Sequence, residues 1–166
     1  MANSGANTVS AYSIAADGSL TSLGSPFAAG SSPFLVAITP LVPFLPFASS
    51  FAKLEIAKHS FDLKESFTLG ANSNGINPVT ENVTLQIGTF SVTIPAGSFN
   101  STYEGYVFDG AINGAGLRVQ IVPLGNKIFT FKAEGTGSDF TGLTNPVTVV
   151  LTIGINTGTT TAVAQF

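Results

Sequence analysis

The chain has 166 residues, 44% of them hydrophobic and only 9% charged, with a formal net charge of −3 and no cysteine. That is room for one domain with a small appendage, long enough to bury about two thirds of its unfolded surface without staples. Its six Lys and Arg residues are scattered, so no basic stripe awaits nucleic acid, and without cysteine there is no thiolate nucleophile or Cys-ligated metal.

The opening Met1-Ala2-Asn3-Ser4-Gly5 lacks the basic start and apolar core of an export signal. From residue 7 to 38 the chain reads Asn7-Thr-Val9-Ser-Ala-Tyr12-Ser-Ile14, Asp17-Gly18-Ser-Leu20, Gly24-Ser-Pro26-Phe27, Ser32-Pro33 and Val36-Ala37-Ile38. Alternation around Val9 to Ile14 predicts a strand, and Asp17-Gly18 a tight turn. This string resembles one repeat of the lactonase-type seven-bladed β-propeller family. A propeller closes with about four blades or more, and one repeat is present. The Gly-Lys-aromatic strand that follows in that family is missing after Pro40. The resemblance therefore implies ancestry or a lost neighbour, and carries over no catalytic residue.

Residues 39–52 form a Pro- and Phe-rich joint with prolines at 40, 43 and 46. Proline at every third position favours extended geometry over helix. The apolar side chains there need cover, and Phe34, Leu41, Phe44, Phe47 and Phe51 are candidates for self-association. The longest apolar run, from Phe34 to Phe47, is broken by those prolines and falls short of the ~20 residues a spanning helix needs.

A β-domain is expected from residue 53 to 166, with residues 1–52 as an appendage. Leu54 and Ile56 share one face, and Lys53 and Glu55 the other. Phe61, Leu63, Phe67 and Leu69 continue the period of two, with Glu65 interrupting the apolar series. Residues 70–78 are loop by composition. Val83, Leu85 and Ile87, then Phe90, Val92 and Ile94, alternate with a phase flip at Gly88-Thr89, which marks a hairpin or glycine bulge. Tyr106, Phe108 and Ile112 lead to a turn at Asn113-Gly114-Ala115-Gly116, and Leu117, Val119 and Ile121 return. A turn at Gly125-Asn126-Lys127 precedes a strand through Phe129 and Phe131; a polar loop spans residues 135–139. Val147 to Ile153 is a strand, residues 157–161 read as loop, and Val163 is a candidate for a last edge strand.

About eight strands with turns every 8–12 residues predict an all-β fold, an antiparallel two-sheet sandwich or a barrel. The string Leu85-x-Ile87-Gly-Thr-Phe90-x-Val92-x-Ile94-Pro-Ala-Gly-Ser-Phe99, with Lys132-Ala-Glu-Gly135, is similar to immunoglobulin-like modules of exported bacterial proteins. That resemblance implies topology only.

No catalytic or cofactor-binding constellation stands out. His59 is the only histidine, too few for a His-His metal site and expected at a strand end. Glu104 and Asp109 flank a strand but point to opposite faces, unlike a glycosidase pair. The Asn72, Asn74, Asn77 loop has too few carboxylates for calcium. Gly110-Ala-Ile-Asn-Gly114-Ala-Gly116 is followed by a strand, not a helix, so it is no nucleotide loop. Asn82-Val-Thr84 and Asn100-Ser-Thr102 fit glycosylation sequons. Asn72, Asn74, Tyr103 and Tyr106 are candidate glycan contacts, thin without tryptophan. The expectation is a non-enzymatic structural or adhesive module, secreted or at a cell surface, without metal or cofactor. Its partner would be itself or another surface protein, through the N-terminal strands; a carbohydrate-binding module is the alternative, and a propeller-lactonase remnant ranks below both.

Overall fold

The computed structural model describes residues 2–3, 5–14, 20–31 and 45–166. All regular structure among them is β-strand. The chain divides into two compact units, Met1–Pro43 and Phe44–Phe166. The second unit starts at Phe44 rather than at the expected residue 53, because residues 45–52 already belong to a long strand.

In the first unit, β1 (Ala2–Asn3) pairs with β2 (Thr8–Val9). A hairpin joins β3 (Tyr12–Ile14) to β4 (Leu20–Ser22), and β5 (Phe27–Ala28) pairs with β2. The expected strand over 9–14 is thus split between two small sheets, one of three strands and one of two. Asn3 Nδ2 donates to Ser10 Oγ at 2.9 Å. The expected Asp17-Gly18 turn lies outside the described residues.

The second unit comprises β6 (Leu45–Ala57), β7 (Ser60–Leu69), β8 (Val83–Ile87), β9 (Phe90–Ile94), β10 (Asn100–Thr102), β11 (Gly105–Ile112), β12 (Ala115–Gly125), β13 (Ile128–Thr136), β14 (Val147–Ile153) and β15 (Asn156–Ala162). They run in the order β10-β11-β12-β13-β7-β6-β15-β14-β8-β9. Every pairing is antiparallel except that of β6 with β15, which is parallel over Leu45↔Asn156 and Pro46↔Thr157. From Phe47 onward β6 pairs instead with β7. Its register shifts between Ser49 and Phe51, and such a bulge bends a strand. One strand therefore belongs to both halves of the ladder. Beyond β15 the chain returns to β6: Gln165 N donates to Leu54 O at 3.0 Å, and Ile56 N to Gln165 O at 2.7 Å.

Alternation dictates what is buried. In β7 the odd residues point inward and in β14 Val147, Val149, Leu151 and Ile153 do the same. Both halves contribute to one core. Aromatic rings tie it together: Phe61 of β7 lies 5.7 Å from Phe90 and 5.6 Å from Phe140, centroid to centroid. Phe47 sits 4.6 Å from Phe67.

The turns follow their chemistry. Gly88 has φ +57° at the β8–β9 hairpin. Asn113 and Gly114 take positive φ between β11 and β12, as a type I′ turn requires. Ala115 and Gly116, expected in that turn, already belong to β12. Between β12 and β13, Asn126 and Lys127 take the positive φ values after Gly125. Two strands depart from expectation. Residues 157–161 are not loop but part of β15, and Asn100–Thr102 form β10. Glycine 135 likewise lies in β13, so the polar loop starts at Gly137. Val163 lies beyond β15 and is exposed.

Candidate functional site

Among the candidates for self-association, Phe34, Leu41 and Phe44 lie outside the described residues, and Phe51 lies in β6 with its side chain outside them. Phe47 is buried against Phe67 and over Gly158. The candidate glycan residues come from two places. Asn72 and Asn74 are exposed on the loop after β7. That loop is held firmly: Lys127 Nζ donates to the carbonyls of Ala71 and Ser73 at 2.9 and 3.0 Å. Ser73 Oγ donates to Asn156 Oδ1 at 2.6 Å, and Asn156 Nδ2 to Gly75 O at 3.0 Å. Tyr103 is fully exposed at the β10–β11 turn, while Tyr106 is half-buried against the core. The register of β11, β12, β13 and β7 places the Tyr103 turn and the Asn72 loop at the same end of the strands.

The remaining polar candidates are placed singly. His59 is exposed in the β6–β7 turn, where its carbonyl accepts from Gly137 N. Hydrogen bonds from the hydroxyl and backbone N–H of Thr141 hold the Asp139 carboxyl below its ordinary value. Asn82 Oδ1 accepts from Ala96 N at 2.9 Å, and Asn100 is exposed on β10. Among the described residues no group of three or more His, Asp or Glu side chains is placed to hold a metal ion. No helix among them is long and apolar enough to cross a membrane.

Glu65 is the residue that interrupts the apolar series of β7, and it still points inward. It is 4% exposed. Burial pushes its carboxyl above the ordinary value, and this outweighs the opposite influence of Ser49 beside it. Neither Glu65 Oε2 nor Ser49 Oγ has a hydrogen-bond partner. A buried carboxyl in that position takes its neutral form more readily than an exposed one.

Charge is concentrated on the outer face of one half of the ladder. The register aligns Lys53, Lys64 and Lys132 directly across β6, β7 and β13, with Gln120 of β12 next in line. Two residues along each strand, Glu55, Asp62 and Glu134 form a second row, continued by Arg118 and Asp109. The face thus carries a basic stripe beside an acidic one. Lysine and acid pair along each strand: Lys53–Glu55 at 2.6 Å, Lys64–Asp62 at 3.8 Å and Lys132–Glu134 at 2.5 Å. Hydrogen bonding to Lys53 and Lys132 lowers the carboxyls of Glu55 and Glu134 from their ordinary values, and raises the two lysines in return. The other outer face differs sharply. Strands β8, β9, β14 and β15 carry no charged side chain, and Thr93, Thr84, Thr152 and Thr157 form one cross-strand row. Sequence reading found the individual charges but not the stripes, since only register brings the three strands together.

Comparison of the chain with protein-family models, with curated proteins and with solved structures finds no match.

Proposed function

We propose that this chain is a non-enzymatic structural or adhesive module, an immunoglobulin-like β-sandwich of an exported bacterial protein, that self-associates through its N-terminal strands. The observation that carries this reading is the first unit. Its five described strands are two or three residues long and lie in two separate sheets. Tyr12, Leu23 and Phe27 are exposed there. Small isolated sheets of this kind are marginal alone. Among the described residues β1, β5, β3 and β4 end their sheets; sheet edges are templates for pairing with another strand, and β-augmentation is a common mode of assembly. A single propeller-like repeat outside its ring would present such edges. The sandwich reading is supported by one core fed from both halves of the ladder.

The test is removal of residues 1–43, which spares β6. In 1 M NaCl the full chain is expected to show a mass above one chain by light scattering, and residues 44–166 the mass of one. Equal masses for both would overturn the reading. A carbohydrate-binding role is the second reading, favoured by exposed Tyr103 at the same strand end as Asn72 and Asn74. It predicts binding on a polysaccharide panel that Tyr103→Ala weakens; a flat panel removes it.

A further inference from the structure

The stripes carry an inference of their own. On a sheet, directly opposed like charges repel, and opposed unlike charges attract. Alternating the signs across strands as well as along them would satisfy a lone sheet better. Here three lysines stand abreast, and so do three acids. The closest relief of each is the i, i+2 pair along its own strand, at 2.5 to 3.8 Å, with weaker attraction from unlike charges on neighbouring strands, Asp62 for Lys53 and Lys132 and Arg118 for Glu134.

We propose that this face docks on the same face of a second copy, basic stripe over acidic stripe. A twofold axis parallel to the stripes and midway between them maps Lys53, Lys64 and Lys132 of one copy over Glu55, Asp62 and Glu134 of the other. Each lysine then gains a second carboxylate, and residue i meets j as j meets i, as an isologous interface requires. The other in-plane twofold, along the strands, stacks lysine on lysine and is repelled. The stripes therefore select one orientation, with the strands of the two faces nearly aligned, as packed sheets favour. A partner of one charge sign would be attracted by one stripe and repelled by the other. The face offers both signs in equal number, so the occupant it fits is itself.

The size agrees with a modest contact. Five strands at about 4.8 Å spacing and four rows at about 6.8 Å cover about 650 Å² per copy, or about 1,300 Å² in all. This is near the lower bound of a specific interface. The contact uses strands of the second unit only. It closes at two copies and is screened by salt, whereas pairing through backbone hydrogen bonds survives salt.

Sedimentation equilibrium of the full chain, in 0.1 M and 1 M NaCl, tests it with three variants. The wild type is expected to associate at least tenfold more weakly in 1 M salt. Two variants give both stripes one sign across β6, β7 and β13: K53E/K64E/K132E and E55K/D62K/E134K. Each is expected to lose the salt-sensitive association while melting cooperatively. Exchanging all six residues inverts the stripes yet keeps them self-complementary, so this third variant is expected to associate like the wild type. Salt-independent association of the wild type, single-signed variants that associate unchanged, or a six-residue exchange that stays monomeric while folded would each overturn the proposal.

Discussion

Glu65 faces inward from β7 with one carboxyl oxygen unpartnered, and burial raises its pKa. The sign of its effect follows. Between the ordinary carboxyl value and the raised one, the folded chain keeps a proton that the unfolded chain has released. Stability therefore falls as pH rises through that window. Glu65→Gln is expected to remove this component, seen as the difference between wild type and variant in urea midpoints from pH 4 to 7. Glu65→Leu is expected to stabilise the fold at pH 7 by about 1–3 kcal/mol. An unchanged pH difference in Glu65→Gln would contradict the assignment. Asn156 is the opposite case, a buried polar residue with its bonds made. Asn156→Ala strands the Ser73 hydroxyl and the Gly75 carbonyl, and is expected to cost about 2–3 kcal/mol in denaturant unfolding. The sequence exposed neither role: Glu65 reads as a break in alternation, and Asn156 falls between the strand ending at Ile153 and residues 157–161, which read as loop.

Strands with strong inward residues were legible, and strands with weak ones were not. Val83 to Ile94 announces itself because Val, Leu, Ile and Phe hold every inward position and Gly88 resets the phase. β15 is silent because its buried positions are Asn156, Gly158 and Ala162. It packs small residues inward because Phe47 already fills the space: a Cβ on Gly158 would run into the Phe47 ring. Gly135 of β13 stands in the same relation to the Phe61 ring. Gly135→Ala or Gly158→Ala is expected to destabilise by about 1–3 kcal/mol through overpacking, read from thermal melts. Phe61→Leu should then cost less in the Gly135→Ala background than alone; equal costs would show that the ring and the glycine are not coupled. The start of β6 was hidden for another reason. Pro46 suggested a joint, yet it occupies the second position of the strand, and proline is tolerated near strand starts.

The whole molecule combines a second unit with one large core and a first unit whose described strands are short and lie in two small sheets. Its charge is gathered on one outer face, four of the six basic and four of the nine acidic residues standing there. All-β class, most hairpins and the polar loop after β7 were legible from periodicity and turn residues. The stripes were not, because cross-strand register is a long-range property that no local pattern encodes. Two association modes follow, distinguishable by salt: one through stripes, one through strands. The central claim concerns the strands. Amide hydrogen exchange of the full chain in 1 M NaCl, across a concentration series, reads it at the residues involved. Protection at Asn3, Phe27 and Ala28, in the edge strands β1 and β5, is predicted to rise with chain concentration while β6 to β15 stay constant. Exchange at β1 and β5 that is fast and flat at every concentration would contradict assembly through the N-terminal strands.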